Sequence, residues 1–215
     1  MKEQVVILDF GSQYTQVIAR RIRECKVFST ILPHNTPVAE IAALNPKGII
    51  LTGGPRSVYS RKAPLPDKEI FNLGAPMLGI CFGLQLMAKF LGGKVERGLK
   101  REYGKGALKV KDGRCVLFGK LPRTLQVWNS HGDKLTQLPE GFKTVATTEN
   151  SPFAAVENRK RKFFGLQFHP EVVHTPKGKT IISNFVHKIC NCSRKWTMRN
   201  YIDQSVEDIR AQVGD

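Results

Sequence analysis

The chain is 215 residues long, enough to bury one substantial α/β core with a small appendage. Its 34 Lys and Arg against 18 Asp and Glu give a formal net charge of +16, yet the basic residues are scattered, and no aromatic-interleaved platform, helix-turn-helix signal or zinc-finger spacing points to nucleic acid. No apolar run is long enough for a membrane span, Met1-Lys2-Glu3-Gln4 does not open a signal peptide, and five irregularly spaced cysteines suit a reducing compartment, so a cytoplasmic location is expected.

Val5 to Phe10, apolar throughout but for Asp9, has the pattern of a strand buried on both faces of a parallel sheet. Gly11-Ser12-Gln13 breaks it, and Thr15 to Glu24 follows as a helix with Val17, Ile18 and Ile22 at helical spacing. A strand from Lys26 to Leu32, a helix from Pro37 to Leu44 and a strand from Gly48 to Thr52 come next. Beyond the loop Gly53-Gly54-Pro55-Arg56-Ser57, a helix near Asp67 to Leu73 leads to the strand Pro76 to Ile80 and then to an amphipathic helix from Leu84 to Leu91. Strands alternating with helices in this way predict an α/β fold, a doubly wound and mostly parallel sheet flanked by helices.

The middle of the chain differs. Short β segments bounded by Gly and Pro are expected at Ala107 to Val110, Cys115 to Leu117, Leu125 to Trp128, Thr144 to Thr147 and Ala154 to Glu157, extending or flanking the sheet. Arg159-Lys160-Arg161-Lys162 reads as a solvated hairpin turn before the strand Phe163 to Phe168, and Lys177 to Ile189 as a helix. Cys190 and Cys192 near His187 lack a second ligand pair at metal spacing and read as structural thiols. Residues 1–194 therefore form the domain, and residues 195–215 a linker and a helix whose Ile202, Val206, Ile209 and Val213 share one face. The partner of that face is expected to be absent or intermolecular.

The chemistry concentrates at Gly79-Ile80-Cys81-Phe82-Gly83, between the apolar strand and the helix. A thiol on a strand-to-helix turn is forced into an exposed position, flanking glycines let the backbone pass close to its neighbours, and the helix N-terminus favours a negative sulfur. Cys81 thus reads as a nucleophile. His169, after the strand ending at Phe168, can serve as its base, and Glu171 can fix the tautomer and orientation of the imidazole across the stiff Pro170. The backbone N–H of Phe82 is placed to meet a developing oxyanion, and Gly54 in the glycine loop after the third strand is the second expected donor.

In combination, residues 79–85, Gly53-Gly54-Pro55 and His169-Pro170-Glu171 resemble the triad-type, class I glutamine amidotransferases. More narrowly, residues 9–16, Trp128-Asn129-Ser130-His131-Gly132-Asp133, residues 167–172 and the tail 196–215 are similar to the N-terminal glutaminase portion of the GMP synthase family. The resemblance covers essentially the whole chain and implies a flavodoxin-like sheet with L-glutamine as substrate. Cys81 would attack the side-chain carboxamide, Phe82 and Gly54 would hold the oxyanion, and His169 would protonate ammonia and then activate the water that cleaves the γ-glutamyl thioester. Gln85 and the loop Ser130, His131, Gly132 and Asp133 match positions that grip the amino-acid end of the substrate, and Ser12 and Gln13 are expected in the same pocket. No metal or cofactor is implied for these residues. In that family ATP and magnesium serve a synthetase (ATP pyrophosphatase) domain that aminates XMP, which makes such a domain or subunit the expected partner. Gly178-Lys179-Thr180 is no phosphate loop, because Val173 stands where its first glycine belongs. Two alternatives stay open: a glutaminase serving anthranilate or carbamoyl phosphate synthesis, and a catalytically silent docking module on the same fold.

Overall fold

A computed structural model of the chain describes residues 3–214, and for residues 99, 100, 203–205, 208 and 212 the backbone alone. Met1, Lys2 and Asp215, which fall within the expected domain and tail, lie outside the described residues. The first half runs β1 (Gln4–Asp9), α1 (Thr15–Glu24), β2 (Phe28–Pro33), α2 (Val38–Ala43), β3 (Gly48–Leu51), β4 (Met77–Ile80) and α3 (Phe82–Phe90). The second half runs β5 (Lys94–Val110), β6 (Thr124–Gln137), β7 (Lys143–Thr147), β8 (Ala155–Asn158), β9 (Phe163–Leu166), α4 (Gly178–Asn184) and α5 (Met198–Val213).

The described strands form one sheet in the order β2-β1-β3-β4-β9-β8-β7-β5-β6. The first four neighbouring pairs are parallel, from β2·β1 through β4·β9, and the rest antiparallel. Successive residues of β1 explain the continuous apolar run. Val5 and Ile7 pack with Ile18 and Ile22 of α1 and Ile181 and Ile182 of α4, whereas Val6 and Leu8 pack with Ile41 of α2 and Leu84 and Met87 of α3. Each side chain so buried contributes roughly 1.5–3 kcal/mol of transfer free energy. The parallel half is therefore sealed on both faces, and its strand ends are rigid mounting points.

Three expectations are corrected. Cys115 to Leu117 is no strand: Val116–Phe118 forms a 3-10 turn, with Cys115 N–H donating to Asp112 O and Asn184 Nδ2 of α4 donating to Leu117 O. The segment near Asp67 is likewise a 3-10 turn (Lys68–Asn72) capped by the Asp67 carboxylate, which accepts from Glu69 N–H. Most consequentially, the short pieces at 107–110 and 125–128 belong to two long strands, and Ser130, His131, Gly132 and Asp133 lie within β6 rather than in a loop. Residues 177–189 do form the expected helix, whose last turn, Phe185–Ile189, is π-helical.

Arg159 to Lys162 is the turn between β8 and β9, as expected, with Arg159 paired to the buried Glu157 at 2.7 Å. Cys190 and Cys192 are buried packing thiols; a Cβ at Gly48 would collide with the Cys190 sulfur. Trp196 and Tyr201 settle on Phe28, at ring distances of 6.2 and 5.5 Å, anchoring the start of α5. Farther along α5, Ile202, Val206, Ile209 and Val213 are exposed. Among the described residues no helix is long and apolar enough to cross a membrane.

Candidate active site

The turn from β4 into α3 is set by close backbone approach. A Cβ on Gly79 would come within 2.6 Å of the Gly83 carbonyl carbon, and one on Gly83 would collide with the carbonyl of Leu51 in β3. Only glycines let α3 start so near the sheet. Between them Cys81 adopts φ +51°, ψ −104°, a conformation that costs a non-glycine residue on the order of 1–3 kcal/mol and that the surroundings must impose. The imposing contacts are visible: Cys81 N–H donates to Leu166 O of β9 at 2.7 Å, and Gln85 N–H donates to Cys81 O at 3.2 Å. The sulfur lies 3.7 Å from Ser130 O and 3.8 Å from Gln167 Nε2.

His169 leaves the end of β9 with its backbone fixed at both ends. Its N–H donates to Trp128 O of β6 at 2.9 Å, and its carbonyl accepts from Thr175 Oγ1 at 2.7 Å, an oxygen that itself accepts from Trp128 N–H. The ring nitrogen Nδ1 lies 2.8 Å from Glu171 Oε1. Glu171 is wholly buried, its second oxygen Oε2 has no hydrogen-bond partner among the described residues, and its carbonyl accepts from Arg21 Nε of α1 at 2.9 Å. Gly178, at the start of α4, lies against the Pro170 carbonyl so closely that no Cβ fits there, which pins the loop between the two side chains.

Burial opposes a charge on His169, but the Glu171 carboxylate, together with hydrogen bonds to Cys81 and Glu171, outweighs it and holds the imidazole well above its usual range. Cys81 and His169 border one cleft with Glu171 paired behind the imidazole, and the ring of Tyr14 packs edge-on to that imidazole with 5.2 Å between centroids.

Gly54 and Phe82 present backbone N–H groups with no acceptor among the described residues, and both border the cleft above Cys81. Gly54 sits tight against its surroundings: an added Cβ would lie 3.0 Å from Phe10 O and 3.2 Å from the Phe82 ring. The cleft, of about 500 Å³, is lined by Cys81 and His169 and by every other site residue expected from the sequence except Glu171, which stands behind His169. Gln85 Nε2 donates to Asp133 O at 3.0 Å and so ties α3 to β6. Ser12 Oγ accepts from Tyr14 N–H at 3.1 Å, while Gln13 is exposed at the rim.

Two features escaped the sequence reading, the contact of Gly53 with His169 and the whole of Glu102. Gly53 faces His169, with an added Cβ only 3.2 Å from the imidazole Cε1. Glu102 is a buried carboxylate directly across from His131 in the β5·β6 pairing, 3.1 Å from its Nε2, an approach without the alignment of a hydrogen bond. Burial pushes the Glu102 carboxyl up, but His131 and the Thr148 hydroxyl, which donates to both its oxygens at 2.9 and 3.0 Å, bring it below the usual carboxylate value. Gly53 belongs to the glycine loop that was recognised, and its contact with His169 had a signal there; an isolated Glu in a polar stretch had none.

A cysteine on a strained strand-to-helix turn, a carboxylate-steadied imidazole and two unengaged N–H groups in one cleft form the constellation of a cysteine-based acyl-transfer site. Over residues 6–189 the chain matches the glutamine amidotransferase class-I family, and it belongs to that family. Within it, the chain is 52% identical over 214 residues to the glutamine-hydrolyzing GMP synthase of Staphylococcus carnosus, and 51% identical over 213 residues to that of Acetivibrio thermocellus. These alignments take in 100% and 99% of this chain but 41% and 42% of the relatives, so the chain spans less than half the length of the curated proteins it matches. Among solved structures, a Thermoplasma acidophilum protein provisionally assigned as a GMP synthase component superposes with a TM-score of 0.77 at 29% identity, covering 89% of this chain and 95% of that one. A Thermotoga maritima glutamine amidotransferase, 22% identical, shares the fold with a TM-score of 0.70 over 89% of this chain and 100% of its own.

Proposed function

We propose that this chain hydrolyses L-glutamine to glutamate and ammonia, with Cys81, His169 and Glu171 as the catalytic triad. Cys81 attacks the carboxamide carbon after His169 has taken the thiol proton. The oxyanion that develops is held by the N–H groups of Phe82 and Gly54, which donate to nothing else among the described residues. The protonated imidazole then gives its proton to the departing nitrogen as the C–N bond breaks, leaving a γ-glutamyl thioester on Cys81. A water deprotonated by His169 adds to the thioester carbonyl, and the C–S bond breaks to release glutamate. Glu171 holds the imidazole through Nδ1, which aims Nε2 at the reacting atoms. Gln85, Ser130, His131, Gly132 and Asp133 grip the amino-acid end of glutamine, and Ser12 and Gln13 complete the wall.

The similarity to GMP synthases extends the proposal: the ammonia serves an ATP- and magnesium-dependent synthetase portion, on a separate subunit or a longer chain, that converts XMP to GMP. The exposed apolar side of α5 supports a docking role toward that portion, Val213 being 77% accessible.

One observation carries the hydrolase reading, the strained Cys81 sharing one cleft with an imidazole that is itself paired with a buried carboxylate. The experiment is to incubate the chain with a glutamine-mimicking alkylator, map the modified residue by mass spectrometry, and follow glutamate release from glutamine. Modification of Cys81, prevented by excess glutamine, is expected. Modification elsewhere, with Cys81 intact, would remove the nucleophile from the scheme.

A further inference from the structure

The sulfur of Cys81 has two neighbours of opposite polarity. The thiol donates to Ser130 O of β6 at 3.7 Å, and Ser130 lines the cleft. From the interior, Gln167 Nε2 donates to the sulfur at 3.8 Å; Gln167 is 1% exposed and does not line the cleft. A carbonyl oxygen can only accept, so Ser130 serves the sulfur while it carries its proton. An amide N–H can only donate, and its bond to sulfur strengthens once the sulfur bears a negative charge.

The mounting of Gln167 suits this contact. β4 and β9 run parallel with Ile80 opposite Leu166, so Cys81 and Gln167 are the next residues along the two chains. Cys81 N–H donates to Leu166 O at 2.7 Å and Gln167 N–H to Ala154 O at 2.9 Å, which fixes both backbones. Gln167 Oε1 is buried with no hydrogen-bond partner among the described residues, so the amide is not there to satisfy a neighbouring donor. Turned over, it would set Oε1 against the sulfur, where neither a negative sulfur nor a thiol already donating to Ser130 O could use it. A buried acceptor left unpaired is a cost to the fold, and the contact with the reacting atom is what the amide provides in return.

We propose that Gln167 is a further catalytic residue, the donor that holds the Cys81 sulfur while it is negative. The inference rests on the glutaminase reading above and adds a group to its machinery. When the S–H bond breaks, the proton passes to His169 and the electron pair stays on sulfur, where the Gln167 N–H meets it. That pair forms the bond to the carboxamide carbon and returns to sulfur when the C–S bond of the thioester breaks, so one donor serves both the attack and the departure. Because Gln167 stands outside the cleft, substrate neither touches nor displaces it, and its loss should be felt in kcat rather than KM.

The test uses the full chain carrying Gln167→Met, which keeps an unbranched side chain of similar size and removes the amide. Glutamate release, thermal melting and the pH dependence of Cys81 alkylation by iodoacetamide are followed against the parent. A kcat about tenfold lower is expected, with KM within about twofold, and the acid limb of alkylation should lie about one pH unit higher, since the sulfur gives up its proton less readily. The other titratable and charged groups around the sulfur are common to both proteins: His169 with Glu171 after β9, Tyr14 before α1, His131 and Asp133 on β6, Arg97, Arg101, Glu102 and Tyr103 on β5, and Arg56 after β3. The melting temperature should be equal or higher, because the unpaired Oε1 leaves with the amide. An amide of structural value alone would lower the melting temperature and leave the alkylation profile in place, which overturns the proposal. Should Gln167→Met not fold, Gln167→Leu carries the same readouts. An unshifted profile with kcat within about twofold of the parent also overturns it, while leaving glutamine hydrolysis by Cys81 intact. A parent chain that labels at Cys81 but releases no glutamate fails the glutaminase reading instead, and the alkylation profiles alone then decide the sulfur contact.

Discussion

The two halves of the sheet position chemistry by different means. In the parallel half, backbone contacts set the geometry: Gly79, Gly83 and Gly178 are places where a single methyl group would strike a carbonyl, and Cys81 is held in a left-handed conformation by the chain around it. In the antiparallel half, side chains set it: Asn129 and His131 point inward from β6 where apolar residues would otherwise alternate, and Glu102 rises from β5 to meet His131. The halves join where His169 N–H donates to Trp128 O and Gln85 donates to Asp133 O, so the long β5·β6 pair, although the sheet ends on it, returns to cover Cys81. On the proposed function, the first half is the reacting centre and the second the recognition wall, so the two should fail differently when mutated, the first through turnover, the second through affinity.

The largest effect belongs to the parallel half. Cys81→Ala should lower glutamate release on the order of 10⁶-fold, as removing a triad nucleophile commonly does. Far-ultraviolet circular dichroism should stay unchanged, because alanine fits wherever cysteine did. Cys81→Gly should be equally inactive yet melt at a higher temperature than Cys81→Ala, since glycine adopts φ +51° without the clash that a Cβ brings. Equal melting temperatures for the two variants would mean that the turn stores no strain at this residue.

Glu171→Gln comes next, with an expected loss of roughly 10²- to 10⁴-fold in kcat, because the orientation of His169 is weakened while every bond-making group remains. The pH dependence has a definite sign. Burial lowers the His169 pKa, and the Glu171 charge is foremost among the effects that raise it, so removing that charge lets the imidazole lose its proton at lower pH. The alkaline limb of Cys81 alkylation, followed by mass spectrometry, should move to lower pH in the variant. The same raised pKa stabilises the folded parent fully below the unfolded histidine value near ~6.5, and that stability is lost as pH rises through the folded value. The melting-temperature gap between parent and variant should therefore narrow toward alkaline pH. A gap that widens would assign the shift to something other than Glu171.

The same contrast explains what the sequence revealed. The parallel half was legible because strands sealed on both faces are runs of apolar residues, as in Val5 to Leu8, and because glycines forced by close approach leave a fixed spacing around Cys81. His169 and Glu171 were legible through their two-residue spacing across Pro170. The β5·β6 pair was not. Its inward positions carry Asn129, His131 and Glu102, which interrupt the apolar alternation that marks a strand, and a four-against-one bulge shifts the register midway. Ser130 to Asp133 consequently read as a loop, although the structure does place them on the wall of the cleft that holds Cys81. Cys115 to Leu117 misled in the opposite direction: these strand-favouring residues run into the 3-10 turn Val116–Phe118, which buries Cys115, Leu117 and Phe118 in the same cluster as Ile181 and Phe185 and leaves Val116 exposed.

The smallest expected effect tests the recognition wall. Glu102→Gln removes the charge facing His131 but keeps the volume, and Thr148 can still donate to the amide oxygen. If β6 serves affinity, the KM for glutamine should rise by several-fold, up to roughly 10-fold, with kcat within about twofold. Glu102 lies below the usual carboxylate range in the folded state, so its charge stabilises the fold above the unfolded carboxylate value near ~4.3 and ceases to do so as pH falls through the folded value. Melting curves of parent and variant should differ at neutral pH and converge in acid. A kcat loss as deep as that of Glu171→Gln, with KM unchanged, would instead place His131 among the groups that act on the reacting bond and erase the division of labour between the two halves.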